Sequence, residues 1–284
     1  MKRSPQSILR LALCIGTVCL TTGCAGVKFS TSANKVNGPV TPFSNPPICD
    51  IGTDPIDPDS GLQSDIYYLD QSQPRYKSVD EFISFGHRSN NPLFLSQLNV
   101  PTRMFDVGFL IDGGDFVRDE QNKVLIEYFA LDIYSELRLT NQNVPGNYQV
   151  ALLSDDGSIL DAKISSDAYS TIVNNDGNHP TRLGCGATTL QMNADTRLPI
   201  RLKYFQGPRY HIALMMLWRK VNGTVPPSEP LCGVTGNETW FDPQNQQPTA
   251  NFNSLLSRGW QVVKPNNFKP VSYTHLTLPT NREV

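Results

Sequence analysis

Two adjacent aspartates, Asp155 and Asp156, are the side chains of this sequence with the clearest capacity for chemistry. They are followed by Gly157 and Ser158, residue types that indicate a turn. Adjacent carboxylates in a turn have two ordinary uses. They accept backbone hydrogen bonds and shape a plain hairpin, or they supply oxygen ligands to calcium, which takes about six to eight of them.

A second carboxylate pair, Asp112 and Asp115, has a spacing that would suit acid–base catalysis. It lies in a glycine-rich stretch, Leu110-Ile-Asp-Gly-Gly-Asp-Phe116, just before the first clear strand pattern. The chain contains no Gly-x-Ser-x-Gly, His-Glu-x-x-His or phosphate-loop motif. We therefore expect the protein not to be an enzyme. The formal net charge of −2 gives no electrostatic reason to expect a nucleic-acid partner.

The elements that position these residues are predicted to be short strands. Large apolar side chains recur at every second position in Tyr148–Leu152 and Ile200–Tyr204, and Ile212, Leu214, Met216 and Trp218 line one face of a very apolar run; turn residues separate these segments. Period-2 alternation in short, turn-bounded runs is typical of antiparallel sheets. The sequence thus predicts an all-β fold, an antiparallel β-sandwich with irregular N- and C-terminal flanks. Trp218 ends an apolar face, so we expect it in the core.

Three smaller segments carry weaker patterns. Val79–Ile83 is predicted to form a short helical turn, and Phe252–Val263 a short helix followed by a strand. The run Asn174–His179 is interpreted as a tight turn capped by its own side chains, in preference to a second metal site. His179 precedes Pro180 and is expected to be a surface or turn-packing residue.

The N-terminus has the features of an export signal. Lys2, Arg3 and Arg10 precede or flank an apolar run from 11 to 20, which is too short to span a bilayer. Gly23-Cys24-Ala25 follows and resembles a bacterial lipobox, which implies a signal peptide over 1–23 and an acylated, palmitate-bearing Cys24. An ordinary secretory signal is the alternative. Since no Asp follows Cys24, we expect a lipid-anchored envelope protein at the outer membrane.

Three cysteines, Cys49, Cys185 and Cys232, remain after the signal and Cys24 are set aside. An oxidising compartment predicts one disulfide and one odd thiol, with the pairing open. Residues 24–60 are rich in small and polar types and are interpreted as a flexible tether. Residues 61–100 form an N-terminal flank, and 222–270 a C-terminal extension. We interpret 271–284 as a sequencing-adapter artefact, so that His275 has no functional role.

Four motifs occur in a fixed order between residues 101 and 221: Gly146–Leu160, Ile172–His179, Leu198–Gly207 and Ile212–Trp218. Together they resemble the PA14 family, named for a fragment of anthrax protective antigen. The resemblance implies a β-sandwich domain over 101–221. In lectin members of the family, two adjacent aspartates bind calcium together with an amide side chain and backbone carbonyls from a second loop.

Carried onto this sequence, the resemblance implies a calcium site formed by the carboxylates of Asp155 and Asp156, the amide of Gln206, and the carbonyls of Pro208 and Tyr210. Gln206 stands where the family has Asn, which keeps the oxygen ligand on a longer side chain. Arg209 and Tyr210 at the loop tip would contact a sugar; a bare hairpin tip is the alternative.

Three functions follow from this interpretation. The first is a calcium-dependent, adhesin-like carbohydrate-binding lipoprotein whose partners are a glycan and, through its lipid, a membrane. The second is a non-catalytic structural or protein-interaction module of an envelope complex, because one fold serves both uses. The third is a truncated glycan-processing enzyme.

Overall fold

Residues 59–271 are described by the computed structural model, and most of their regular structure is strand. The two α-helices are α1 (Val79–Phe85) and α2 (Ala250–Ser257). The strands are β1 (Leu62–Tyr68), β2 (His87–Arg88), β3 (Leu93–Leu95), β4 (Asn99–Met104), β5 (Phe129–Leu137), β6 (Gly146–Asp155), β7 (Ser158–Ala162), β8 (Ser170–Asn175), β9 (Arg182–Met192), β10 (Leu198–Gln206), β11 (His211–Val221), β12 (Gln261–Val262) and β13 (Phe268–Lys269).

The strands form two antiparallel sheets. Sheet A has the order β2-β1-β5-β10-β7-β8, with β3 and β13 added beside β1 and β5. Sheet B has the order β12-β11-β6-β9, with β4 also paired to β11. Every strand pairing between these elements is antiparallel. The predicted antiparallel β-sandwich is confirmed.

The core lies between the inner faces of the two sheets, as the period-2 alternation predicts. Leu202 and Tyr204 on β10 belong to the same buried cluster as Leu214 and Trp218 on β11. Trp218 is buried and its ring packs 4.7 Å from that of Tyr148, so the predicted core position is confirmed. Burial of such large apolar side chains contributes roughly 1.5–3 kcal/mol each, which makes this layer the main source of stability.

The sandwich extends beyond residues 101–221. In sheet A, Ile66 of β1 pairs with Leu131 of β5, and in sheet B Val100 of β4 pairs with Leu214 of β11. The N-terminal flank therefore supplies strands to both sheets. Pairings that join residues more than 60 positions apart are set by tertiary packing, which local sequence patterns do not report.

The C-terminal extension covers the outer face of sheet B. Trp240, Phe252 of α2 and Trp260 pack with Met215 and Leu217 in a second apolar cluster. A disulfide between Cys185 of β9 and Cys232 ties the extension to the sheet. The helix-then-strand prediction for Phe252–Val263 is confirmed by α2 and β12.

Helix α1 covers part of the outer face of sheet A. Its Phe82 ring stacks on Phe205 of β10 at a centroid distance of 4.7 Å, and both are fully buried. The backbone amide of Val79 donates to Oδ1 of Asp176 at 3.0 Å. The helical turn predicted at Val79–Ile83 is therefore present and fastened to the β8–β9 turn.

The predictions for Cys24, Cys49, the signal at 1–23, most of the tether at 24–60 and nearly all of 271–284 lie outside the described residues. Within 59–271, neither helix has the length and apolar character needed to cross a membrane.

Candidate functional site

The aspartate turn lies where the chain crosses from sheet B to sheet A. Strand β6 ends at Asp155 in sheet B, and β7 begins at Ser158 in sheet A. The peptide bond between Asp155 and Asp156 is cis. Each of the two aspartates is only 4% exposed. Two neighbouring carboxylates are thus buried together at one end of the sandwich, which is a costly arrangement unless something compensates their charge.

Hydrogen bonds from three residues in two segments hold the two carboxylates. Thr181 Oγ1 donates to Oδ2 of Asp155 at 3.1 Å. The amide of His179 donates to Oδ1 of Asp156 at 3.1 Å, and the amide of Gly207 to Oδ2 of Asp156 at 2.8 Å. These neutral donors fix both side chains in place, but they bring no positive charge to the pair.

The pKa values of both aspartates are raised. Burial raises the pKa of Asp155 to about 8, and the charge of Asp156 adds to the effect, against hydrogen bonds from Thr181. Burial also raises the pKa of Asp156 to about 7, although hydrogen bonds from the amides of Gly207 and His179 oppose the shift. A bound cation would relieve the cost of ionising this pair.

The second loop, between β10 and β11, lies beside Asp156. Pro208, Arg209 and Tyr210 are exposed, and Tyr210 keeps 68% of its surface in solvent. The guanidinium of Arg209 lies 5.4 Å from the ring centre of Phe105, and its Nε lies 3.4 Å from Oε2 of Glu127. Arg209 and Tyr210, the predicted sugar contacts, therefore form an exposed rim beside a buried acidic pair.

The carbonyl of Tyr210, a predicted calcium ligand, accepts a hydrogen bond from the amide of Phe105 at 3.0 Å. The peptide bond between Arg209 and Tyr210 is also cis. Pro208, whose carbonyl is the other predicted backbone ligand, lies in the same exposed turn. Phe105 and Glu127 were not anticipated, because they are far from this loop in sequence and belong to no motif.

Gln206 points inward. Its side chain is fully buried, its Oε1 lies 2.8 Å from the Tyr204 hydroxyl, and its Nε2 donates to the carbonyl of His211 at 2.9 Å. The amide predicted to bind calcium thus has a hydrogen-bond partner at each end. Its carbonyl oxygen keeps one lone pair beyond the bond to Tyr204.

Gly207 packs closely against the Asp156 carboxylate. A Cβ atom on this residue would lie 3.1 Å from Oδ2 of Asp156, 3.3 Å from Oδ1 of Asn178 and 3.3 Å from Cε2 of Phe205, so the position has little room for a side chain. Carboxylate and amide oxygens are the ligands that calcium prefers. The residues at this place therefore fit a calcium ion, with Asp155 and Asp156 as its charged ligands. Within residues 59–271 there is no cluster of three or more His, Cys, Asp or Glu side chains suited to a metal.

The remaining predicted residues lie away from this site or have structural contacts. Asp112 accepts hydrogen bonds from the amide and hydroxyl of Ser96, and Asp115 pairs with Arg118 at 3.0 Å. The ring nitrogens of His179 contact the carbonyls of Pro180 and Asn175, in agreement with a turn-packing role.

Solved structures similar to this chain include the PA14 sugar-binding domain of an RTX adhesin, at 17% identity over 56% of this chain and 89% of that one, with a TM-score of 0.42. The Epithelial Adhesin 6 A domain of Candida glabrata, in complex with Galβ1-3GlcNAc, is 14% identical over 60% of this chain and 84% of its own, with a TM-score of 0.41.

An anti-sigma factor domain-containing protein is 10% identical over 75% of this chain, with a TM-score of 0.41; this chain covers 49% of its length. No protein-family model and no curated protein matches the chain. The similar structures include PA14 domains, the family that the ordered motifs predict. At these identities and TM-scores, the functional argument rests on the residues of the site.

Proposed function

We propose that this chain is a non-catalytic, calcium-dependent carbohydrate-binding module of an adhesin-like envelope lipoprotein. The observation that carries the proposal is the buried pair of carboxylates, Asp155 and Asp156, beside the exposed rim of Arg209 and Tyr210. Of the domains named above, the RTX adhesin domain is a sugar-binding domain and the Candida domain was solved in complex with Galβ1-3GlcNAc.

The chemistry supports calcium as the partner of the carboxylates. Two aspartates supply the negative charge, and hydrogen bonds from Thr181, His179 and Gly207 hold them ready before any ion arrives. When bound, the ion offers coordination positions that vicinal sugar hydroxyls can fill, since calcium takes six to eight oxygens, roughly, at 2.3–2.6 Å. Protein carbonyls of Pro208 and Tyr210 are the further predicted ligands.

The exposed rim supports a sugar as the second ligand. Arg209 offers N–H donors next to the Phe105 ring, and the largely exposed ring of Tyr210 offers a flat apolar face. Sugars are bound by this combination of hydrogen-bond donors and aromatic surface. The alternative, a purely structural module, would need an exposed face on which a partner protein could dock. Apolar side chains from within the chain already cover part of the outer face of each sheet, which reduces the area available for such docking.

Calorimetric titration of calcium into the full chain tests the proposal, with Asp155→Asn/Asp156→Asn as the variant and Asp112→Asn/Asp115→Asn as the matched control. The control removes the same charge from a loop outside the site. We expect the first variant to lose calcium binding and the control to keep it. A glycan array with and without chelator then tests the sugar.

Chelator-sensitive glycan binding supports the calcium-dependent carbohydrate binding. If glycan binding persists in the presence of chelator, the binding does not depend on calcium. If the wild type binds neither calcium nor glycan, the structural module is the function that agrees with the result. Incorporation of labelled palmitate, compared with Cys24→Ala, tests the lipid anchor separately. Absence of labelling would contradict it.

A further inference from the structure

The C-terminal extension lies against β9, the edge strand of sheet B, close to the aspartate turn. The amide of Gly233 donates to the carbonyl of Leu183 at 2.7 Å, and the amide of Leu183 donates to the carbonyl of Val234 at 3.3 Å. The amide of Gly236 then donates to the carbonyl of Thr181 at 2.9 Å. This stretch of the extension thus covers the start of β9 with backbone hydrogen bonds, as an added edge strand would.

Trp240 fastens the extension to the same residue. Its indole Nε1 donates to the carbonyl of Thr181 at 3.2 Å, and its ring is fully buried in the apolar cluster on the outer face of sheet B. The hydroxyl of Thr235 donates to the carbonyl of Pro180 at 3.0 Å. The backbone at 180–183 therefore takes its position from the extension as well as from β9.

Thr181 connects this backbone to the acidic pair. Its hydroxyl donates to Oδ2 of Asp155 at 3.1 Å and accepts from the hydroxyl of Thr102 on β4 at 3.1 Å. Both threonines are fully buried, which strengthens these hydrogen bonds. An ionised carboxylate has about four lone pairs, so the bond from Thr181 fixes the orientation of Asp155 and leaves oxygen sites open to an ion.

From these contacts we infer that Thr181 is a positioning residue for the Asp155 carboxylate, and that the C-terminal extension supports the calcium site because Trp240 holds Thr181. This inference rests on the calcium site proposed above. The extension supplies no ligand and acts through the orientation of Asp155 alone. A carboxylate that is already held in place loses less conformational freedom when it binds an ion, so its affinity is higher.

Calcium titration of the full chain, with the melting temperature recorded for each variant, tests the role of Thr181. Thr181→Val keeps the shape of the side chain and removes the hydroxyl, so we expect calcium affinity to fall about 10-fold. Thr181→Ser keeps the hydroxyl and should bind calcium as the wild type does, even where its melting temperature is lowered. Wild-type affinity in Thr181→Val, or equal losses of affinity in both variants, overturns this role.

Two tryptophans of the same apolar cluster test the role of the extension. Trp240→Phe removes the donor to the Thr181 carbonyl. Trp260→Phe is the matched control, since its Nε1 donates to Glu229 at 2.9 Å and its ring lies against Arg219, near the other end of β11. Both variants should have lowered melting temperatures, but only Trp240→Phe should weaken calcium binding, by about 3-fold.

Equal calcium affinity in the two tryptophan variants overturns the role of the extension while the calcium site itself stands. A wild type that binds no calcium overturns the proposed site and this inference together. The two failures are therefore distinguishable, because only the second is seen in the wild type.

Discussion

The hydroxyl of Tyr204 lies 2.7 Å from the main-chain oxygen of Asp155 and joins the two sheets at the site. Tyr204 belongs to β10 of sheet A, and Asp155 ends β6 of sheet B. Burial, with the charges of Asp155 and Asp156, raises the pKa of Tyr204 well above its ordinary value. The hydroxyl therefore keeps its proton at physiological pH, and this single proton is shared between the Asp155 main-chain oxygen and Gln206 Oε1.

Tyr204→Phe is expected to destabilise the fold and weaken calcium binding. The change removes the donor and leaves the Asp155 carbonyl buried without it, at a cost of about 1–3 kcal/mol. Urea denaturation and calcium titration measure the two effects. Tyr148→Phe is the control, because its hydroxyl donates to the Val144 carbonyl at 2.7 Å away from the site. Equal calcium affinity in both variants would contradict the prediction.

Gly207→Ala is expected to displace the Asp156 carboxylate. Its Cβ would lie 3.1 Å from Asp156 Oδ2 and 3.3 Å from Asn178 Oδ1, tighter than an ordinary contact, so the carboxylate must shift. Calcium affinity should fall at least ~10-fold, because calcium needs oxygens at about 2.3–2.6 Å. Titration with calcium measures the loss.

Gly186→Ala provides an equally crowded control, since its Cβ would meet the carbonyls of Ile172 and Val150 at 3.1 Å. It lies on β9 and should affect stability alone. The prediction for Gly207→Ala is contradicted by wild-type calcium affinity in a folded variant.

Glu229 is expected to make stability sensitive to acid. Its carboxylate is fully buried, lies 3.2 Å from Arg219 Nη1, and accepts from Trp260 Nε1 at 2.9 Å and from Arg258. Burial raises its pKa, but hydrogen bonds from Arg258, Trp260 and the Leu231 amide outweigh burial, so the pKa is lowered. Its stabilising contribution is therefore present above the unfolded-state pKa and is lost as pH falls through the lowered one.

Urea denaturation near pH 7 and near pH 3.5 checks this contribution. Glu229→Gln should cost on the order of 3 kcal/mol near pH 7, where it leaves Arg219 buried without a counter-charge. It should also lose less stability on acidification than the wild type does. Asp167→Asn, an exposed acid, is the control. An unchanged pH dependence in Glu229→Gln would assign the acid sensitivity to other groups.

Removal of the Cys185–Cys232 disulfide is expected to destabilise the fold strongly. The bond joins residues 47 apart, and closing a loop of that length in the unfolded chain is worth about 4 kcal/mol in the chain-entropy model. Cys185→Ser/Cys232→Ser should lower the urea midpoint, while Cys49→Ser should not. If reductant leaves the wild-type midpoint unchanged, the loop-closure contribution is negligible.

Local alternation predicted the strands, but not which strands meet. Ile200, Leu202 and Tyr204 alternate on one face, and that pattern was enough to place β10 in the sandwich. The pairing of β1 with β5 and of β4 with β11 depends on contacts across the fold. Likewise, three cysteines left the disulfide pairing open, because separation in sequence does not report distance in space.

The same alternation contained a signal for Gln206. Counting in twos from Leu202 and Tyr204 places Gln206 on the inward face, where it is buried in the structure. The family resemblance predicts that the Gln206 amide binds calcium, whereas its place in the strand alternation predicts that its side chain is buried.

The disulfide between β9 and the C-terminal extension would hold the two parts of the chain together after proteolytic cleavage between them. The exposed stretch 222–225 follows β11 and precedes Cys232, so a cut there separates the two cysteines in sequence. The fragments would remain joined through sulfur, and Trp240 and Trp260 would stay against the sheet they cover. A cleaved molecule would thus run as a single species on a gel until its disulfide is reduced, and the apolar outer face of sheet B would remain shielded from water.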